Sequence, residues 1–481
     1  MRALRRSAGV LGLTALLAAG CGGTTATTGS GASTIVPASA PAFVAIDSNP
    51  QSPQWRTIAE LASKFPDRQK GVDALQHGLA KGGVDWQKDV EPALGPELDF
   101  VWLDFANHGR DVVGLTQPRS RAKFAALVAK ANKAAKKPAD RVFSDTFKGW
   151  TVIAPAKKTI DRFEQESATA RTTLAGDKSF SDSMNRLGAS SVVRAYVNGK
   201  VVMQLARKEG GARVQPYLDK LGKLDWIAAR IGATSEGIGL DTIVHGTPGS
   251  LFKGASQPGS FSAKLLGTVP GDALVYLSFH GAKGMFDGLQ ESPALNTPQF
   301  RRFARPLQQF GRILEGENAI YLRPGANVPE VTLVSTPGTA GSPIVDRMVK
   351  QFSGASPQIR NVGGTAVHAM ASSSTGLYYA DVNGKFVASD QLQGIQAATG
   401  SRKSLSDSPE FQQTKAASGM PDKTWSALYV NIHASVPYVE KLARLHIPAA
   451  IARNIRPLRS AVEYAASHTH EVQISFFLRI K

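Results

Sequence analysis

The chain has 481 residues and one cysteine, Cys21. That scarcity excludes a disulfide framework, and it excludes thiolate metal sites in the body of the chain. Long apolar runs are scarce too. Beyond the N-terminus no stretch approaches the roughly 18 apolar residues that a membrane-spanning helix needs. Acidic residues are in deficit, 38 against 56 Lys and Arg, for a formal charge of +18. Catalytic signatures are missing as well. No HExxH, GxSxG, GxxxxGK[ST] or GxGxxG occurs, and "GIG" at Gly237 is a turn fragment.

What is present begins at the N-terminus, "MRALRRSAGVLGLTALLAAGC". Arg2, Arg5 and Arg6 precede an uncharged run, Ala8 to Gly20, too short to cross a bilayer but suited to a secretory signal. Ala18, Ala19 and Gly20 directly before Cys21 resemble a bacterial lipobox, with Ala18 where Leu is usual. Residues 1–20 therefore read as a signal peptide. The resemblance implies acylation of Cys21 as the first mature residue, with palmitate among the acyl groups. Residues 21–35, "CGGTTATTGSGASTI", read as an uncharged flexible tether, and the 19 uncharged residues that follow Cys21 would reach about 25 Å as a random coil. Without the signal arginines 53 basic residues face 38 acidic ones, or +15. An exported, lipid-anchored, basic body faces anionic headgroups and wall polymers, and nucleic acid is not expected in that compartment.

The body repeats itself in outline. "VPASAPAFVAI" at Val36 matches "VPGDALVYL" at Val269. "KSFSDS" at Lys178 matches "KSLSDS" at Lys403. Tyr196-Val197-Asn198 matches Tyr429-Val430-Asn431, and "GIGLDTIV" matches "EVQISFFL", with Leu240 against Ile474. The expected architecture is a tandem duplication of a domain of about 210 residues, at 36–247 and 269–481, joined by a Gly/Ser/Pro-rich linker at 248–268. Strands come as adjacent hairpins, "LDFVWLDF" with "RDVVGLTQ" and "VFSDTF" with "GWTVIAPA", interleaved with amphipathic helices. Asn383-Gly384 suits a type I′ hairpin turn. "VVRAYVNGKVVMQL" reads as strand then helix, like its partner "SALYVNIHASVPYVEKL". The fold class is α+β, each copy a mainly antiparallel sheet with helices packed on one face.

The lipobox, the "VPxxAxxxVxI" opening, the "KSFSDS"-like helix start and the "YVN" strand together resemble the bacterial domain-of-unknown-function family 3352. The resemblance covers most of the chain after the tether. It implies an exported or membrane-anchored protein and brings no active-site residues with it.

Candidate chemistry is thin. His468 and His470 in "SHTHEV" would share a strand face as two metal ligands, without a visible third. The better reading is surface histidines, so no metal site is assigned. Asp99, Asp104 and Asp111 around the first hairpin are carboxylates for acid–base work only if they converge. Ser181 or Asp182, and Ser406 or Asp407, read as helix caps, with an anion gripped by Lys178 or Lys403 as the alternative. The strongest signal is electrostatic. "PRSRAKFAALVAKANKAAKK" holds Arg119, Arg121, Lys123, Lys130, Lys133, Lys136 and Lys137 and no acid, with Lys123, Lys130 and Lys137 at a seven-residue spacing. This is the expected contact for an anionic surface, each such group contributing about 1 kcal/mol near it. Further clusters are Arg301, Arg302 and Arg305, and Arg453, Arg456 and Arg459.

These features favour a non-enzymatic cell-envelope lipoprotein without a cofactor, held to the outer face of the cytoplasmic membrane or the envelope. It would be a scaffold that binds a ligand or partner, namely an anionic lipid, a wall polymer or another envelope protein. A structural adaptor in an envelope complex is the alternative, and an envelope hydrolase a third reading. A lipid carrier requires a closed apolar cavity, an adaptor an exposed apolar patch.

Overall fold

A computed structural model describes residues 31–105, 107–188, 190–248, 260–281, 309–325, 328–371, 376–400, 403–443 and 447–481. The signal peptide, Cys21, the tether up to residue 30, linker residues 249–259 and Arg301, Arg302 and Arg305 lie outside the described residues.

The first half contributes eight strands: β1 (Ala42–Asp47), β2 (Glu97–Trp102), β3 (Val112–Thr116), β4 (Phe143–Phe147), β5 (Trp150–Ala154), β6 (Val193–Asn198), β7 (Gly222–Thr234) and β8 (Gly237–Pro248). The second contributes β9 (Phe261–Ser262), β10 (Val275–His280), β11 (Glu317–Arg323), β12 (Glu330–Ser335), β13 (Gln358–Val362), β14 (Thr365–Ala371), β15 (Gly376–Val382), β16 (Lys385–Ser389), β17 (Lys423–Thr424), β18 (Ser426–Val430), β19 (Leu458–His468) and β20 (Glu471–Ile480). Apart from the small β9–β17 pair, the strands among the described residues form one 18-stranded sheet. Its spatial order is β4-β5-β3-β2-β1-β6-β7-β8, then β20-β19-β18-β10-β11-β12-β16-β15-β14-β13, antiparallel throughout. The large antiparallel sheet with helices agrees with the α+β class.

Helices cover both faces of this sheet, which corrects the one-face expectation. The cause is in the strands. "AFVAID" and "LDFVWL" are apolar at nearly every position, so both alternating sets need cover. In the first half Phe43, Ala45, Val101 and Leu115 pack on one face beneath Phe163 and Phe180, from α4 (Lys157–Thr169) and α5 (Lys178–Leu187). Ile46 packs on the opposite face with Trp86, Val90 and Phe124, beside Trp55 of α1 (Pro53–Ser63). Phe124 comes from α3 (Arg121–Ala134), the helix after α2 (Arg68–Lys81). The second half repeats the two-sided arrangement. Tyr276, Tyr378 and Phe411 lie on one side, Tyr379, Phe386 and Ile344 on the other.

Details recur between the halves. In the β7–β8 hairpin Thr234 opposes Gly237, and the register shifts between Leu224 and Trp226. In the β19–β20 hairpin His468 opposes Glu471, and the register shifts between Leu458 and Ser460. The bulged residues, Asp225 and Arg459, thus sit at matching points. Isolated bridges join Pro37 to Thr173 and Pro270 to Ser404. Phe180 stands edge-on to Tyr196 at 5.2 Å, and Phe411 edge-on to Tyr429 at 5.1 Å. After Asn198 and Asn431 the chain enters helices α6 (Gly199–Leu221) and α10 (Ile432–Ala443), the strand-then-helix reading. The remaining described helices are α7 (Ser342–Ser353), α8 (Leu392–Thr399), α9 (Pro409–Ser418) and α11 (Ala449–Ile455). Asn383 and Gly384 both have positive φ, 50° and 73°, as a type I′ turn requires.

Two boundaries move. Gly31–Thr34 form a 3₁₀ turn, and Ala32 and Ile35 are buried in the core, so residues 31–35 belong to the body and not to the tether. Residues 260–268 likewise belong to the second half: β9 pairs with β17, and Leu265 is buried in the second core. Apolar side chains at Ile35 and Leu265 explain both shifts.

Where β8 meets β20, Gly237 has no room for a side chain. A Cβ there would lie 2.1 Å from the Leu478 carbonyl oxygen, whereas one on Gly239 would meet nothing nearer than 3.6 Å. Gly237→Ala should therefore cost about 2 kcal/mol by strain, and Gly239→Ala far less. Urea unfolding of the two variants checks this; equal costs would contradict the close approach.

Candidate functional site

Six of the seven basic candidates are solvated without a salt bridge among the described residues, and all seven are exposed. Lys130 Nζ pairs with Asp89, and Arg119 donates to Asn49 Oδ1 at 3.2 Å. Phe124 anchors α3 in the core, and Ser120 caps it by accepting from the Lys123 N–H. Ser120 and Lys123 also spell SxxK, a spacing sequence reasoning missed; the Ser120 hydroxyl serves as that cap. The helix ends at Ala134, so Lys137 is not on the face where the seven-residue spacing placed it, and Lys136 also lies beyond the helix. Pro138 is the cause, since the residue before a proline is pushed into extended backbone, and Lys137 has φ −129° and ψ 148°.

The acids converge on a cation. Asp104 and Asp111 both face Arg162, Asp111 at 3.8 Å, while Arg162 Nε holds Glu166 at 2.7 Å. This is ion pairing, not a pair of acids poised for proton transfer. Asp99 is fully buried in β2, apart from them. His468 ends β19, while His470 lies in the turn with φ 61°, so they do not share a strand face. Both are exposed, and no cluster of three metal-ligating side chains occurs among the described residues.

The "KSFSDS" and "KSLSDS" segments are not equivalent in space. Lys178–Ser183 lies inside α5, whereas Lys403–Ser408 precedes α9 and forms a 3₁₀ turn closed by Ser404 and Asp407. The segment placed in the first half as "KSLSDSPEF" is in the second is "TTLAGDKSF", which sets Phe180 against Phe411, each the third residue of its helix. The cap of α5 is Asp177, accepting from the Phe180 N–H at 2.9 Å, rather than Ser181 or Asp182. Both segments are short polar turns, and similar caps produced the six-residue slip.

With that register restored, a groove stands out. It has a volume of about 610 Å³ and lies between α5, the start of α6 and the β7–β8 bulge. Lys178, Ser179, Asp182, Asn185 and Arg186 form one wall. Trp226 and His245, stacked at 5.0 Å and 10°, form the floor. Asp225, the bulge residue, faces His245 Nδ1 at 3.4 Å, Lys223 at 3.6 Å and Lys200 at 3.8 Å. Lys178 pairs with Asp182 at 2.6 Å, and Arg186 reaches across the halves to Glu471 at 2.7 Å.

The second half fills the same place with its own side chains. There Glu410, second residue of α9 as Ser179 is of α5, accepts from Arg459 at 3.1 Å and Arg479 at 2.7 Å. Arg459 replaces Asp225 at the bulge, and Ser460 and Arg479 replace Trp226 and His245. Gln413 Oε1 accepts from Arg479 at 2.8 Å, and Arg479 also meets Glu236 of the first half at 3.3 Å. A second cavity, about 170 Å³, is open and carries Lys385 and Lys403.

No protein-family model matches the chain, and no curated protein matches it. Crystal forms III, I and IV of TP0453 are similar to part of it, at 14%, 14% and 18% identity. They cover 44%, 45% and 45% of this chain and 78%, 79% and 78% of their own, with TM-scores of 0.26, 0.25 and 0.25.

Burial raises the Glu410 carboxyl, but the Arg459 hydrogen bond and the charges of Arg459 and Arg479 outweigh it and hold the group below its ordinary value. A lowered folded-state value contributes stability above the unfolded value of 4.5, lost as pH falls through the folded one. Glu410→Gln should cost about 2 kcal/mol at pH 7. The gap from wild type should shrink below pH 4.5. Denaturant unfolding at both pH values checks it; a gap independent of pH would refute the assignment.

Proposed function

We propose that the chain is an exported cell-envelope lipoprotein, acylated at Cys21, whose duplicated body is a non-enzymatic binding scaffold. The observation that carries the binding reading is the groove over Trp226 and His245. It is open in one half, while Glu410, Arg459 and Arg479 occupy the matching place in the other. The duplication reading is supported by the matching bulges, bridges and aromatic contacts, and by strand pairing that runs in the same order through β1–β8 and through β10–β20, with β13–β14 an added hairpin. Membership of family 3352 belongs to the same proposal.

A non-enzymatic role is supported by Asp104 and Asp111, which are spent on Arg162. Anchoring is supported by Arg2, Arg5 and Arg6, the short apolar run and the lipobox-like residues before Cys21. On the body, Arg121, Lys123 and Lys133 project from α3, with Arg119, Lys136 and Lys137 flanking it, and favour contact with anionic headgroups.

One observation favours an adaptor instead. Leu240 is paired with Ile231 on one side and Phe476 on the other, with Ile474 opposite Thr242 beside them. All four apolar side chains are about 40% exposed in mid-sheet, a patch of the kind that receives a partner protein.

Detergent-phase partitioning with mass spectrometry of the N-terminal peptide tests the anchor. Wild type should enter the detergent phase with a diacylglyceryl Cys21, and Cys21→Ala should stay in the aqueous phase. An unmodified Cys21 would refute it. Full-length Cys21→Ala protein should bind phosphatidylglycerol vesicles, more weakly as salt rises, and lose at least tenfold in affinity when Arg121, Lys123 and Lys133 are changed to Glu. Salt-insensitive binding would rule out the electrostatic contact.

A further inference from the structure

We propose that the groove binds a sugar ring carrying a phosphate or carboxylate group. This rests on the binding-scaffold reading and names the ligand class for that site.

The second half shows what occupies such a place. A carboxylate rising from the second position of α9 satisfies two arginines on the strands. In the first half that position is Ser179, two atoms shorter in reach, and about 610 Å³ stands open instead. A ligand from outside the chain takes the room that Glu410 fills within it.

The charges around the groove say how that ligand is oriented. Lys178, Arg186 and Lys200 outnumber Asp182 and Asp225 in the lining. Lys178 and Lys200 are largely exposed at the rim, which suits a phosphate or carboxylate. Deeper in, the polarity is reversed. Asp225 stands where the second half has Arg459, and its neighbours Lys200, Lys223 and the His245 imidazole lie 3.4–3.8 Å away. Those separations exceed hydrogen-bond length, so its oxygens keep acceptor capacity. An anion pushed against Asp225 would be repelled, whereas ligand hydroxyls would donate to it. Asn185 adds an amide that both donates and accepts. The floor is the outer face of the His245 imidazole, backed by the buried Trp226 indole, a flat apolar platform for the C–H face of a sugar. Cationic rim, hydroxyl-accepting depth and flat floor together describe an anionic sugar better than an inorganic anion or an acyl chain.

The test uses full-length Cys21→Ala protein and isothermal titration with glucuronate, glucose 6-phosphate, glucose and inorganic phosphate. Glucuronate or glucose 6-phosphate should bind saturably, at least tenfold tighter than glucose or phosphate. Ser179→Glu, which supplies the second half's carboxylate, should abolish binding. Asp225→Asn and Lys200→Glu should each weaken it tenfold or more with an unchanged melting temperature. Tighter binding to vesicles bearing a glucuronosyl lipid than to free glucuronate assigns a lipid headgroup as the source, and equal affinity assigns a free sugar or glycan end; both support the proposal. Phosphate binding as tightly as the sugars, or binding indifferent to Ser179→Glu and Asp225→Asn, overturns it. If no anionic sugar binds but cell material copurifies with wild type and not with Ser179→Glu, the ligand class falls and the scaffold reading stands. If nothing copurifies either, both fall.

Discussion

Nine residue pairs between β8 and β20, from His245–Glu471 to Gly237–Arg479, join the halves into one sheet. Each hairpin would otherwise expose a long strand edge, an invitation to pair with other chains. Here the two edges cover each other. Near the middle Ser475 Oγ donates to Asp241 Oδ1 at 2.6 Å, and Arg230 Nε donates to the same carboxylate at 2.8 Å. Around that ladder Arg186–Glu471 and Arg479–Glu236 tie helix and turn of one half to strands of the other. Lys64 Nζ donates to the Ile480 carbonyl at 3.1 Å, and Asn454 to Asp67 at 2.7 Å. Leu61, Ala233 and Ile480 make a small apolar cluster beside it.

On either side of this junction one backbone plan carries opposite side chains. The bulge turns Asp225 or Arg459 toward the helix above it, and the second helical residue, Ser179 or Glu410, decides whether the space is filled. Where Glu410 reaches the arginines, the half is locked by charge-assisted hydrogen bonds. Where Ser179 stops short, the imidazole of His245 lies flat on Trp226 and a groove remains. Four differences, Ser179 against Glu410, Asp225 against Arg459, Trp226 against Ser460 and His245 against Arg479, thus separate a candidate binding site from a structural ion network.

Much of the fold was legible in the sequence because it depends on local pattern. The hairpins, the type I′ turn at Asn383-Gly384 and the strand-to-helix switch after Asn198 follow from short-range residue preferences. The six-residue slip at "KSFSDS" came from caps, which are interchangeable among Ser, Asp and Thr. The buried Phe180 and Phe411 would have corrected it, because each must meet a tyrosine on the neighbouring strand. Two-sided cover was written in "AFVAID", whose apolar residues fail to alternate. The groove was not legible at all: Ser179, Asp225 and His245 are far apart in the chain, and only a bulge and a hairpin register bring them together.

The continuity of the sheet across the middle of the molecule is tested most directly by native-state amide hydrogen exchange. If β8 and β20 are central strands, amides in 238–245 and 471–479 should be among the slowest to exchange, and should open together with β6 and β18 in one cooperative unit. Fast exchange in β8 and β20, with the two halves opening at separate free energies, would show two bodies side by side and contradict the single sheet.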